Sequence, residues 1–160
     1  MTDSINHNFL EHVEKGNVEQ VKNDLRDGAN INYIEQFKKP ALTVAVLNND
    51  FNMVKYLVEN GADANIRGAL TEAAFIENLE ITKYLLAQGA CPNRQVSSGS
   101  LLSHVCMNIT SEKEYVPIST ENFTIAKLLI DAGADVNYRI GRSDPTIQAV
   151  QKRRSLHRAF

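Results

Sequence analysis

The stretch Asn60-Gly61-Ala62-Asp63-Ala64-Asn65 decides the fold of this 160-residue chain, because close variants of it recur along the sequence. The variants end at Asn32, Asn93 and Asn137, and each has a Gly-Ala pair with an asparagine three residues after the alanine. The four glycines are separated by 33, 28 and 44 residues and are Gly28, Gly61, Gly89 and Gly133. Self-similarity at this scale is typical of a repeat architecture, in which each supersecondary unit stacks on the next.

An amphipathic segment precedes each of these glycines. A lysine lies six residues before every glycine, and apolar residues recur around it at helical spacing. Glycine lacks the Cβ that disfavours positive φ, so it can end a helix in the left-handed conformation. The leucines of these segments should be buried between repeats, namely Leu57, Leu85, Leu86, Leu128 and Leu129.

A shorter helical segment lies further upstream in each repeat. The pattern predicts helix pairs near 5–15 and 18–27, 40–47 and 51–59, 69–76 and 79–87, and 100–107 and 122–131. A last helix is expected from about residue 145.

The segments 39–45 (Lys-Pro-Ala-Leu-Thr-Val-Ala) and 68–74 (Gly-Ala-Leu-Thr-Glu-Ala-Ala), with the Gly-Ala-Asp-x-Asn elements, resemble the ankyrin repeat. The resemblance implies an all-α solenoid of about four to five helix-turn-helix repeats linked by short β-hairpin turns. We expect one domain over residues 1–160. Its predicted parts are an N-terminal cap over 5–32, repeats over 33–65, 66–93 and 94–137 with an insertion at 107–122, and a partial C-terminal cap over 138–160.

The sequence departs from the family pattern at the family's histidine, which usually ties its helix to the neighbouring loop by hydrogen bonds. Thr43, Thr71 and Ser103 stand there, and their hydroxyls have a shorter reach, so we expect looser repeats. The third repeat is five residues short, which predicts a truncated hairpin at Ile66-Arg67-Gly68.

The composition and motifs argue against an enzyme. The chain has no Gly-rich phosphate loop, no His-Glu-x-x-His and no Gly-x-Ser-x-Gly, and its four histidines are scattered. Cys91 and Cys106 form no CxxC pair, and no apolar run reaches the roughly 20 residues that span a bilayer. The N-terminus lacks the pattern of a secretory signal. We therefore expect a cytoplasmic, intracellular monomer with no cofactor and no metal.

The stacked architecture predicts a non-enzymatic protein-binding module that uses the concave face made by hairpin tips and first helices. The tips carry six basic residues against Glu35 and Asp144, although the whole chain has a net charge of −2, which predicts an acidic partner surface or peptide. Leu47, Phe75 and Ile76 are candidate apolar anchors. The full predicted site is Tyr33, Phe37, Lys38, Leu47, Arg67, Phe75, Ile76, Arg94, Tyr138, Arg139 and Arg142, with Lys39 as a further basic tip residue.

Alternatives remain at this point. The basic tips and the basic segment 152–158 could bind nucleic acid or anionic lipid, although the net charge of −2 does not favour nucleic acid as a partner. The tips could simply be solvated loops, and the insertion could fold back over Phe75 and Ile76. The resemblance further implies hydroxylation of hairpin asparagines, with Asn65 and Asn137 best placed.

Overall fold

A computed structural model of the chain describes residues 2–96, 99–107 and 120–137. This part of the chain contains eight helices and one pair of short strands. The helices are α1 Thr2–Glu14, α2 Val18–Arg26, α3 Ala41–Leu47, α4 Phe51–Glu59, α5 Ala69–Phe75, α6 Leu79–Ala87, α7 Leu101–Met107 and α8 Thr120–Asp131. The strands, β1 Gln95–Val96 and β2 Gly99–Ser100, pair antiparallel directly before α7.

The four predicted helix pairs are confirmed, since every observed boundary lies within three residues of its predicted position. The predicted helix from about residue 145, the cap over 138–160 and most of the insertion lie outside the described residues. The chain forms two compact units, Met1–Ala90 and Cys91–Phe160. Helices α1 to α6 belong to the first unit, and the strand pair with α7 and α8 belongs to the second. A single domain over 1–160 stays a prediction.

Short polar side chains begin the second helix of each pair in the first unit. Asn17, Asp50 and Asn78 accept hydrogen bonds from the backbone N–H groups three residues later, which satisfies donors that have no partner inside the helix. The Gly-Ala elements end the same helices, as predicted. The φ angles are 97° at Gly28, 97° at Gly61 and 85° at Gly89, all in the left-handed region.

The core of the first unit is built from residues that face between the helices, and α3 buries five of its seven. Leu57, Leu85 and Leu129 are fully buried, as expected. Leu86 and Leu128 are only half-buried, so the prediction of burial was wrong for both. Each is the chain neighbour of a buried leucine, and the step of about 100° between consecutive helical residues turns Leu86 and Leu128 toward the edge of the buried face.

The links between repeats are tied to the helices by hydroxyl groups. The Thr43 hydroxyl donates to the Arg67 carbonyl at 2.8 Å, so threonine makes the bond expected at the family's histidine position. Ser103 instead bonds with Ser100, whose hydroxyl accepts from the Ser103 N–H at 3.0 Å at the start of α7. The link at 66–68 is a turn without strand pairing, which agrees with the predicted truncation.

Candidate protein-binding face

The first helices α1 and α3 and the link before α3 border a groove of about 250 Å³. Its apolar floor is Leu10, Val44 and Leu47. Charged and polar side chains line the rest, namely Glu11, Glu14, Lys38, Lys39 and Asn48. The fold therefore brings Lys38 and Leu47, two of the residues predicted for the site, to the same groove.

Glu14, Leu47 and Phe75 are each the last residue of a first helix. Their intervals of 33 and 28 residues equal those between Gly28, Gly61 and Gly89, so they occupy the same position in three successive repeats. We call these three residues the helix-end row. The Asn48 side-chain amide donates to the Glu14 carbonyl at 3.0 Å, and the Asn78 amide donates to the Asn49 side chain. These bonds hold neighbouring helix ends side by side.

The apolar members of this face are accessible. Leu47 is 38% exposed, Phe75 is 36% exposed and Ile76, directly after α5, is 38% exposed. Ile34, which sequence reasoning did not select, is 48% exposed in the link before α3. No periodic pattern marks Ile34, because it lies in an irregular segment.

At the N-terminal end of the face, acidic side chains offset the positive charge of the predicted basic tips. Lys38 lies 3.1 Å from the Glu35 carboxylate, and the His7 ring nitrogen lies 3.2 Å from the same carboxylate. The hydrogen bond from Lys38 and the nearby His7 hold the pKa of Glu35 below its usual range. Lys39 pairs with Glu72. Sequence reasoning weighed only acids within the links and missed Glu72, because this residue belongs to α5.

The other residues predicted for the site differ in their exposure, and some lie outside the described part of the chain. Arg67 is exposed, and its guanidinium forms no ion pair within residues 2–96, 99–107 and 120–137. Tyr33 and Arg94 are half-buried. Tyr138, Arg139 and Arg142 lie outside the described residues.

Phe37 has an unusual position at the tip of the link before α3. It is 98% exposed, and its φ is 65°. The Lys38 N–H donates to the Glu35 carbonyl at 3.1 Å, which closes a turn with Phe37 as its third residue. Glycine or asparagine is usual at a turn position with positive φ, so an aromatic residue is strained there.

The asparagines that end the Gly-Ala elements connect one repeat to the next. The Asn32 side chain donates to the Gly61 carbonyl at 3.2 Å and accepts from the Asp63 N–H at 2.9 Å. The Asn65 amide donates to the Gly89 carbonyl at 3.2 Å. In the second unit the Asn93 amide donates to the Gly133 carbonyl at 3.0 Å. These bridges tie each Gly-Ala element to the next; hydroxylation of Asn65 or Asn137 stays a prediction.

Among the described residues, no three or more His, Cys, Asp or Glu side chains form a group that could hold a metal ion. In the same part of the chain, no helix has the length and apolar character needed to cross a membrane. His12 pairs with Asp24 at 2.6 Å across α1 and α2 and so has a structural contact.

Successive helix pairs ended by Gly-Ala elements and joined by asparagine bridges define a helical repeat protein. A family model described as "Ankyrin repeats (3 copies)" matches residues 9–96, which is more than half of the chain. The chain belongs to the ankyrin-repeat family.

Its relatives come from distant sources. An ankyrin repeat protein of Rickettsia felis is 30% identical over 119 residues, which are 70% of this chain and 51% of that protein. The human ankyrin repeat and SOCS box protein 6 is 31% identical over 143 residues, which are 84% of this chain and 32% of that protein. An ankyrin repeat protein of Acanthamoeba polyphaga mimivirus is 36% identical over 89 residues, which are 56% of this chain and 18% of that protein. The chain thus spans about half the length of the first relative and about a third of the second.

Proposed function

We propose that this protein is a non-catalytic binding module that holds a partner protein on the face formed by its links and first helices. The observation that carries the proposal is the accessibility of Leu47, Phe75 and Ile76 at equivalent helix ends. In α3 the other apolar residues, except the half-buried Val44, are fully buried, so Leu47 is apolar at a position where packing does not require it. Exposed large apolar side chains at equivalent positions of neighbouring repeats favour a protein interaction site.

The rigidity of this face supports the same function. Each link is tied to the following Gly-Ala element by an asparagine bridge, and Thr43 ties α3 to the next link. A surface that is already ordered loses little conformational entropy when a partner docks, so more of the contact energy appears as affinity. Ankyrin repeats are generally protein–protein interaction modules, which agrees with this reasoning. We further propose that the chain acts as a monomer in the cytoplasm.

The proposed anchors and the rim charge have separate roles. Phe75 and Leu47 contribute only after docking, because their contacts act at short range. Arg67 acts at long range in water and favours an acidic group of the partner near the third repeat. Lys38 and Lys39 contribute less to such an attraction, because Glu35 and Glu72 lie beside them.

The test begins with affinity capture of partners by the wild-type chain, followed by surface-plasmon kinetics of the purified partner. Phe75→Ala should mainly speed dissociation, at a cost of about 2 kcal/mol or more in binding free energy. Arg67→Glu should mainly slow association and reduce its salt dependence. Phe123→Ala and Arg26→Glu are matched controls on the second helices of their pairs, where both side chains are exposed.

Wild-type rates for both Phe75→Ala and Arg67→Glu would refute this site. If Phe75→Ala lowers the melting temperature without changing the kinetics, its side chain is a packing residue instead. Binding of nucleic acid or anionic lipid through the basic segment 152–158 stays a prediction outside the described residues, and a steep salt dependence of binding to DNA or anionic vesicles would support it.

A further inference from the structure

We infer that the helix-end row, Glu14, Leu47 and Phe75, takes a partner segment in which a lysine or arginine lies next to large apolar side chains. The cation pairs with Glu14, and the apolar side chains pack on Leu47 and Phe75. The inference rests on the proposed function, because it names the chemistry of the segment bound at that face. The basic tips predict an acidic partner, whereas here the partner carries a cation where it meets the N-terminal end of the face.

The charges that line the groove do not balance. Of its four charged lining residues, Glu11 lies 3.2 Å from Lys15, Lys38 lies 3.1 Å from Glu35, and Lys39 pairs with Glu72. The Glu14 carboxylate is exposed and has no ion pair within the residues that the structure describes. The uncompensated charge of this groove is therefore negative. A cation of the partner complements it, whereas a carboxylate at the same place would be repelled.

Glu14 and Leu47 lie at neighbouring helix ends. The carbonyl of Glu14 accepts from the side chain of Asn48, the residue directly after Leu47. The carboxylate-bearing residue and the exposed leucine are thus held as neighbours at the ends of adjacent helices. A segment that runs across these helix ends meets a charge first and then apolar side chains at the next two repeats.

The groove is small for a small-molecule site. Its volume of about 250 Å³ lies below the roughly 300–1,000 Å³ of small-molecule sites. Its apolar floor suits one inserted side chain, and the continuing row at Leu47 and Phe75 suits a segment of protein. A free metabolite would leave most of the row uncovered.

Phe37 supplies an independent observation beside the same groove. It directly precedes Lys38, which lines the groove, and it combines a left-handed backbone with a side chain that is 98% exposed. Nothing that the folded chain gains from this side chain offsets the strain, because an almost fully exposed ring has little packing. Strained, exposed residues of this kind occur at binding sites, where a partner supplies the missing contacts. We assign Phe37 to the rim that closes over the bound segment.

The test uses two short synthetic peptides with the same apolar residues, one with lysines around them and one with glutamates. The chain contains no tryptophan, so Phe37→Trp introduces a single fluorescent reporter at the rim. The lysine peptide should shift the emission of this tryptophan to shorter wavelength, and the glutamate peptide should not. As a control, binding of fluorescently labelled peptides to the wild-type chain is measured by fluorescence anisotropy. This control shows that binding does not depend on the introduced tryptophan.

Charge variants complete the test. Glu14→Lys should weaken binding of the lysine peptide about tenfold and strengthen binding of the glutamate peptide. Glu80→Lys makes the same change at an exposed position of α6 and should leave both affinities unchanged. Equal affinities for the two peptides, a lack of effect of Glu14→Lys, or no binding of the lysine peptide would each overturn the inference. The proposed function fails separately, through wild-type partner kinetics of the Phe75→Ala and Arg67→Glu variants.

Discussion

Replacing Thr43 and Thr82 with valine, one at a time, tests how buried hydroxyl groups act in this repeat array. Both threonines are helical, and they are 1% and 0% exposed. The Thr43 hydroxyl donates to the Arg67 carbonyl at 2.8 Å. In the part of the chain that the structure describes, the Thr82 hydroxyl is buried and has no hydrogen-bond partner. The same chemical change should therefore have opposite effects on stability.

The magnitudes follow from these contacts. Valine has nearly the shape of threonine and is also β-branched, so helix propensity and packing volume change little. At Thr43 the substitution removes the hydrogen bond and leaves the Arg67 carbonyl without this donor, which should cost about 1–2 kcal/mol. At Thr82 it removes a buried hydroxyl that has lost its water, which should stabilise by about 1 kcal/mol. For a chain of this size, each kcal/mol changes the melting temperature by about 2–4 °C.

Urea denaturation followed by circular dichroism measures both effects. The urea concentration at the midpoint of unfolding should fall for Thr43→Val and rise for Thr82→Val. The dependence of the unfolding free energy on urea concentration should not change, which would exclude a change in compactness. The reasoning is refuted if Thr82→Val lowers the midpoint as Thr43→Val does, since the Thr82 hydroxyl would then have a stabilising partner. An unchanged midpoint for Thr43→Val would show that its bond to the next link contributes nothing.

Two further predictions concern the core and the charged link. Leu85→Ala should lower the free energy of unfolding by about 2–5 kcal/mol, because the Leu85 side chain is fully buried. Leu86→Ala should lower it clearly less, because Leu86 is half-buried. Equal losses in thermal denaturation would contradict the assignment of Leu85 to the buried face and of Leu86 to its edge. Lys38 and His7 lower the pKa of Glu35, so its contribution to stability is present above the ordinary pKa of roughly 4.3 and is lost as the pH falls through the lower folded-state value. The difference in melting temperature between the wild-type chain and Glu35→Gln should thus shrink as the pH falls below the ordinary pKa of the carboxyl group, with Glu80→Gln as the control, and a difference that grows on acidification would show the wrong sign.

Much of the candidate site was predictable from the sequence, because the residues that follow the paired alanines in a repeat can be aligned without a structure. Leu47, Phe75 and Ile76 were selected in this way, and all three are more than a third exposed. Glu14 was not selected, although it shares the position of Leu47 and Phe75, because its importance depends on the lack of a neighbouring cation. Ile34 was missed, since an irregular link carries no periodic signal.

Sequence signals place the ends of α2, α4 and α6 to within one residue. Those signals are local: a side chain caps a helix three residues away, and a glycine adopts positive φ because of its own missing Cβ. Which charges meet depends on how the repeats stack, as with Lys39 and Glu72, which lie 33 residues apart in the chain. Glu77 adopts a φ of 55° at the position that Gly16 and Asn49 occupy in the preceding repeats, although glutamate does not favour positive φ. Contacts between repeats depend on the geometry of stacking, which no short stretch of sequence contains.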